Sequence, residues 1–234
     1  MSEVAPYQLL IFDWDGTLVD SIGRIVEAMR VAALACDLLP RSDEAIKGII
    51  GLGLPEAIQS LHPDLHEPAR VEHFRRRYSD AYLALEAEPS VLFEGVRESL
   101  ELFREQGYQL AVATGKSRPG LARVLAAHGW LEYFDITRCA DETASKPDPR
   151  MLHEILGHCR VAPERALMVG DSVFDLQMAT RAGIDSVAVG YGAQPLSALR
   201  EHGPALAIEA FNELRAWLVA RTHGQSIEVG SYVG

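Results

Sequence analysis

Short runs rich in aliphatic and β-branched residues recur along the chain: Gln8–Phe12, Gln109–Ala113, Ile136–Cys139, Ala166–Val169, Ser186–Val189 and Ala205–Ile208. Each reads as a buried strand. Between the later runs lie stretches with helical apolar spacing, Val96–Gln106, Pro119–His128, Arg150–His158, Val173–Ala182 and Phe211–Ala220. Strands alternating with helices of this length predict right-handed βαβ units around a parallel sheet, which is an α/β, doubly wound core. Gly107, Gly129 and Gly183 each follow a helical stretch, where a left-handed C-cap is wanted.

The alternation breaks once. From Val19 to Ala87 the chain offers no strand, only helical patterns such as Ser21–Leu38 and Pro68–Ala87. Ile22, Ile25, Met29 and Ala33 fall on one face of the first of these. Gly48, Gly51, Gly53 and Pro55 punctuate the middle. Because one strand precedes this block and the next follows it, the block is an insertion. The expected organisation is an α/β catalytic core over residues 1–18 and 88–221, an inserted helical cap domain over 19–87, and a polar, Gly-rich tail over 222–234 that should be mobile.

Composition narrows the class without changing this picture. The 234 residues are 48% hydrophobic and 24% charged, enough for one well-buried core and a modest appendage. The net charge of -11 leaves Arg75-Arg76-Arg77 as the one basic run. It lies in a stretch with apolar residues at Val71, Phe74, Tyr78 and Tyr82, so it reads as a solvated helix face rather than a nucleic-acid footprint. An acidic protein that binds an anion needs a local positive charge, and a bound divalent cation would supply it. Cys36, Cys139 and Cys159 are odd in number and far apart, which argues against a disulfide framework or a zinc site and for a reducing compartment. The N-terminus does not resemble a signal peptide, and no apolar stretch is long enough to span a bilayer. The expectation is a soluble, cytoplasmic protein.

Four segments carry candidate chemistry. In LLIFDWDGTLVD a strand ends at Phe12 and delivers Asp13 and Asp15, at the end of the sheet where ligands of open α/β folds bind. Two carboxylates so close are costly unless a cation sits between them or one holds a proton. The bland alternative is an Asx turn with a helix cap. In LAVATGKS, Thr114 and Gly115 offer a hydroxyl and backbone N–H groups to an anion at a helix start. The GKS ending imitates a phosphate-binding P-loop, but Leu110 stands where that loop needs glycine. In ASKPDP, Lys146 is held extended by the following proline. In ALMVGDSVFD, a strand leads through a Gly turn to Asp171 and, one helical turn on, Asp175. Each segment alone could be a cap or a surface residue; four in succession, each at a strand end or on the loop before a helix, point to one active site.

These motifs, DWDGT, Thr114-Gly115, Lys146 in SKPDP and GDSVFD, resemble in order those of the haloacid dehalogenase superfamily of phosphohydrolases, in the branch with a helical cap after the first strand. The likeness runs from about Gln8 to Ala220. It implies Asp13 as nucleophile and Asp15 as general acid and base, with Mg²⁺ held by Asp13, the backbone carbonyl of Asp15, and Asp171. Thr114, the Gly115 N–H and Lys146 would hold the phosphoryl oxygens, and Asp175 would orient the metal's surroundings or Lys146 rather than bind metal. The dehalogenases lack an acid at the position of Asp15, and the sugar phosphomutase relatives carry a His in the first cap helix where this chain has Ile25 and its neighbours. Hydrolysis of a small phosphomonoester is therefore the expected activity, with the resemblance strongest to phosphoglycolate-phosphatase-like members. The alternatives are another sugar phosphate, a nucleotide or pyrophosphate as substrate, or a regulatory binding module without turnover. Trp14, bulkier than the family's usual residue there, is expected to alter packing under the cap. The loop GIIGLGLPE, with Arg24 and Lys47, is expected to help select substrate; His62 and His66 read as loop residues.

Overall fold

β1 (Leu9–Phe12) lies at the centre of the fold, with β2 (Gln109–Thr114) on one side and β4 (Ala166–Gly170) on the other. β3 (Ile136–Cys139) pairs outside β2, while β5 (Asp185–Val189) and β6 (Leu206–Ile208) extend the other edge. All pairings are parallel, and the order is β3-β2-β1-β4-β5-β6. The computed structural model describes residues 7–86 and 89–222, so the expected tail beyond residue 222 and part of the expected return near residue 88 lie outside the described residues.

The strands pack on both faces, as continuous apolar runs require. Leu10 and Phe12 of β1 enter one apolar cluster with Val96, Leu100, Phe103, Phe211 and Trp217, while Leu9 and Ile11 enter the opposite one with Met151, Ile155, Met168 and Met178. The covering helices are α5 (Val96–Glu105), α6 (Arg118–Ala127), α7 (Arg150–Cys159), α8 (Val173–Ala182), α9 (Leu196–Arg200) and α10 (Phe211–Thr222). The short α9 and a 3₁₀ turn over Pro163–Arg165 were not visible as periodic patterns, being too brief to display one. Gly107, Gly129 and Gly183 have positive φ, and Gly183 is the left-handed C-cap of α8. Because β1 joins neighbours on both sides whose connections run in opposite directions, a crevice opens at its carboxyl end.

Between β1 and β2 come α1 (Ile22–Ala35), α2 (Asp43–Lys47), α3 (Leu54–Leu61) and α4 (Pro68–Leu85), with their own apolar cluster of Ile25, Met29, Ile46, Ile58 and Phe74 among others. The spacing of Ile22, Ile25, Met29 and Ala33 predicted their buried face, and all four are buried. α2 begins at Ser42, whose hydroxyl accepts from the Ala45 N–H, and α3 carries Pro55 in its first turn. His62 lies outside the helices, as the sequence led one to expect. It caps the C-terminal end of α3, is buried, and lies 5.5 Å from the Phe74 ring, so burial lowers its pKa. The chain leaves and re-enters side by side: Val19 bridges Leu92, Asp20 N–H donates to Val91, and Phe93 N–H donates to Leu18. No helix among the described residues is long and apolar enough to cross a membrane.

Candidate active site

The Asp13 N–H donates to the Val169 carbonyl at 3.0 Å, prolonging the sheet by one residue beyond β1. Trp14 then turns its ring into the core beside His128, Trp130 and Phe134, fully buried. Its bulk is absorbed on the sheet side rather than under α1–α4, which corrects the expectation for this residue. Asp13 and Asp15, on either side of it, line one cavity. Gly16 closes the turn at φ +76°; a Cβ there would stand 2.1 Å from Asp171 Oδ2, so no other residue fits.

Lys146 is the pivot of the buried charges. Its Nζ lies 2.7 Å from Asp13 Oδ1 and 2.7 Å from Asp175 Oδ1, with all three side chains almost wholly buried. Burial opposes its charge, but the two carboxylates outweigh that and raise its pKa. Asp175 Oδ2 accepts from the Ser172 N–H and hydroxyl, so both its oxygens are engaged by the protein. Gly170 gives it room, since a Cβ at that position would meet Asp175 at 2.4 Å. Asp171 Oδ1 accepts from the Thr17 hydroxyl and Oδ2 from the Ala193 N–H at 2.7 Å. Burial, joined by repulsion from neighbouring carboxylates, raises the pKa of both Asp13 and Asp171, although Lys146 pulls the other way.

Oxygens of Asp13, Asp171 and Asp175 lie within 4.8 Å of one another, and Asp13 Oδ2 has no hydrogen-bond partner in the protein. A buried, unpartnered carboxylate oxygen facing a second carboxylate is the donor set a hard divalent cation takes. The residues fit such an ion.

At the mouth of this acidic floor, Asp15 Oδ1 accepts from the Ser21 hydroxyl at 2.6 Å and pairs with Lys116 Nζ at 3.0 Å. Lys116 also donates to the Tyr82 hydroxyl of α4 at 3.2 Å and sits 4.7 Å from that ring's centre. Burial works against its ammonium, but Asp15 and the tyrosines raise its pKa. Sequence reasoning passed over Lys116 and Ser21. The lysine was visible in TGKS, directly after the anion-binding pair, and was weighed only as part of a failed P-loop match. Thr114 is buried at the end of β2 and accepts from the Lys116 N–H. It lines the same cavity as Asp13, Asp15 and Gly115. The structure thus brings Asp13, Asp171, Asp175 and Lys146 into contact, with Asp15, Thr114 and Gly115 around the adjoining space.

That cavity holds about 500 Å³ between the sheet edge and the helical block. The block reaches down onto the sheet. The Gly53 N–H donates to Ser145 Oγ at 2.8 Å, and Arg123 of α6 pairs with Glu86 at 2.7 Å. A Cβ on Gly115 would lie 2.4 Å from the Leu52 carbonyl oxygen. The loop after α2 contributes Ile49, Ile50, Gly51 and Leu52 to the lining. Arg24 and Lys47 are elsewhere: Arg24 turns to Glu86, and Lys47 lines a separate groove with Asp20 and Glu27.

A parallel sheet with a carboxylate, ammonium and carboxylate arrayed at its switch point, beneath an inserted helical block, defines a doubly wound α/β protein with a site for a cation and an anion. The chain belongs to the haloacid dehalogenase-like hydrolase family, whose profile matches residues 10–189. It is 37% identical over 212 residues to the probable phosphatase IndB of Dickeya dadantii, covering 88% of this chain and 91% of that one. To the phosphoglycolate phosphatase of Pectobacterium atrosepticum it is 32% identical, over 92% of this chain and 93% of the other. Among solved structures, a predicted phosphoglycolate phosphatase from Haemophilus somnus superposes with a TM-score of 0.78 at 26% identity, covering 91% of this chain and 98% of that one.

Proposed function

We propose that this chain is a Mg²⁺-dependent phosphatase that hydrolyses a small phosphomonoester through a phosphorylated Asp13. The observation that carries this reading is Asp13 itself: one oxygen is fixed by Lys146 and the other is left without a protein partner, at the floor of a cavity. A carboxylate so placed can attack phosphorus, splitting hydrolysis into transfer to Asp13 and release to water. Asp15 reaches the same cavity, where it would protonate the leaving oxygen and later take a proton from water. Thr114, the Gly115 N–H and Lys146 would hold phosphoryl oxygens. Asp175, occupied by Lys146 and Ser172, would act as a positioning residue. Mg²⁺, held by Asp13, the Asp15 carbonyl and Asp171, would neutralise charge on the transferring phosphoryl group. The relatives' names bring phosphoglycolate forward as substrate. Three free thiols support a reducing, cytoplasmic setting.

Phosphate release from p-nitrophenyl phosphate tests the reading. Turnover should appear with Mg²⁺ and fall to background with EDTA, returning when Mg²⁺ is restored. Undiminished turnover after thorough chelation would exclude the metal, and absence of turnover in both arms would exclude the phosphatase.

The helical block over residues 19–87 serves in this reading as a cap that closes over the substrate. Gly115 reports on closure, because its Cβ position collides with Leu52 and Gly51 of the block rather than with the sheet. Gly115→Ala should keep thermal stability close to that of the parent and lower kcat/KM by about 10²-fold, the cost of roughly an ångström of misplacement. Parental kcat/KM in this variant would show that closure is not needed.

A further inference from the structure

The cavity is divided by polarity. Its floor holds Asp13, Asp15, Thr114 and Lys116, its roof is built by Ile25, Met29, Ile49, Ile50 and Leu52 with the ring of Tyr78, and further polar groups, Glu56, Arg75, Arg123 and Asp141 among them, complete the lining. Ile25, Met29, Ile49 and Ile50 are buried and present only hydrocarbon or thioether to the space below. Among the described residues the cations that line the cavity are each paired: Lys116 with Asp15, Arg75 with Glu72, and Arg123 with Glu86. At the floor, Asp13, Asp15, Asp171 and Asp175 face two ammonium groups, Lys116 and Lys146. With Asp15 protonated as the acid of the phosphatase reading, three carboxylates face the two ammonium groups, so a divalent ion and a phosphate dianion together would leave one negative charge in excess. A further carboxylate on the substrate would lie under an apolar roof with no buried cation facing it there, since Arg75 and Arg123 are exposed and already have carboxylate partners, and that placement is unfavourable.

From this we infer that the preferred substrate is the phosphate ester of an uncharged alcohol with a mainly apolar body, larger than the two-carbon acid of phosphoglycolate. The phosphate would sit on the floor, and the apolar body would be covered by the isoleucines and Tyr78. This deepens the phosphatase reading and rests on it. The cavity's 500 Å³ is ample for such a body and far exceeds what a two-carbon acid fills.

Leaving-group chemistry must be matched in the test, so alkyl esters are compared. Phenethyl phosphate, ethyl phosphate and phosphoglycolate are assayed with Mg²⁺, and the non-hydrolysable phenylpropylphosphonate and phosphonopropionate are titrated calorimetrically against the same protein. We expect kcat/KM for phenethyl phosphate to exceed that for each of the other esters by at least about tenfold, the discrimination a few buried methylenes supply. Phenylpropylphosphonate should bind tighter than phosphonopropionate by a similar factor. Equal or better turnover of phosphoglycolate would overturn the inference while leaving the phosphatase intact. If no ester turns over, the phosphatase reading falls, and the order of the two phosphonates alone decides what the roof accepts.

Discussion

Asp13→Asn should lower kcat on p-nitrophenyl phosphate by at least about 10⁴-fold while the protein remains folded. The amide has the shape of the carboxylate but cannot attack phosphorus, and removal of a nucleophile costs about as much as dismantling the whole catalytic unit. Folding should survive, since Lys146 keeps Asp175 at 2.7 Å and the backbone bond from residue 13 to Val169 does not involve the side chain. Steady-state phosphate release, with urea unfolding as the control for structure, checks both halves. Rapid quench adds a second readout: an acid-stable, base-labile phosphoprotein should form in the parent and be missing in the variant. A rate near that of the parent would remove Asp13 from its role.

Lys146→Met has the largest expected effect on stability. The ammonium is buried between Asp13 and Asp175, and deleting it leaves two buried carboxylates without their counter-charge. Breaking a buried pair by removing one partner costs about 3–5 kcal/mol, well above the loss from an exposed pair. Urea denaturation should show a lowered midpoint without a change of slope. Mg²⁺ should raise the melting temperature of this variant more than that of the parent, because binding to the folded state offsets the same unbalanced charge. An unchanged midpoint would mean that the carboxylates do not depend on Lys146.

The sheet was legible because its strands are buried on both faces. Runs such as Leu9–Phe12 and Ala166–Gly170 are apolar without interruption, and burial of that kind leaves a local trace. α2 and α9, five residues each, turn only once and show no face to a periodicity argument. The acidic floor was legible for a related reason. Asp13, Lys146, Asp171 and Asp175 follow strand ends or fixed turns, so their chain positions nearly determine where they meet. Lys116 was not, because its importance depends on Tyr82 and Asp15, residues 34 and 101 positions away by number, arriving from another element. Arg24 and Lys47 looked apt by charge, but Glu86 and the acidic groove beside α1 claim them. Side-chain charge says that a residue will find a partner; only packing says which one.

Val19 and Leu92 cross as neighbours, and Asp20 and Phe93 reinforce that crossing with backbone bonds. Both connections therefore pass through one point of the scaffold, an arrangement that would let the helical block of the proposed reading turn about one axis. The carboxylates and ammonium groups of the floor stand on the far side of that crossing, with Ser21 and Tyr82 reaching Asp15 and Lys116 from the helical block. A foreign helical segment with ends equally close, and with hydroxyls to take the places of Ser21 and Tyr82, could be grafted between Asp20 and Val91 to give the proposed chemistry a different choice of guest.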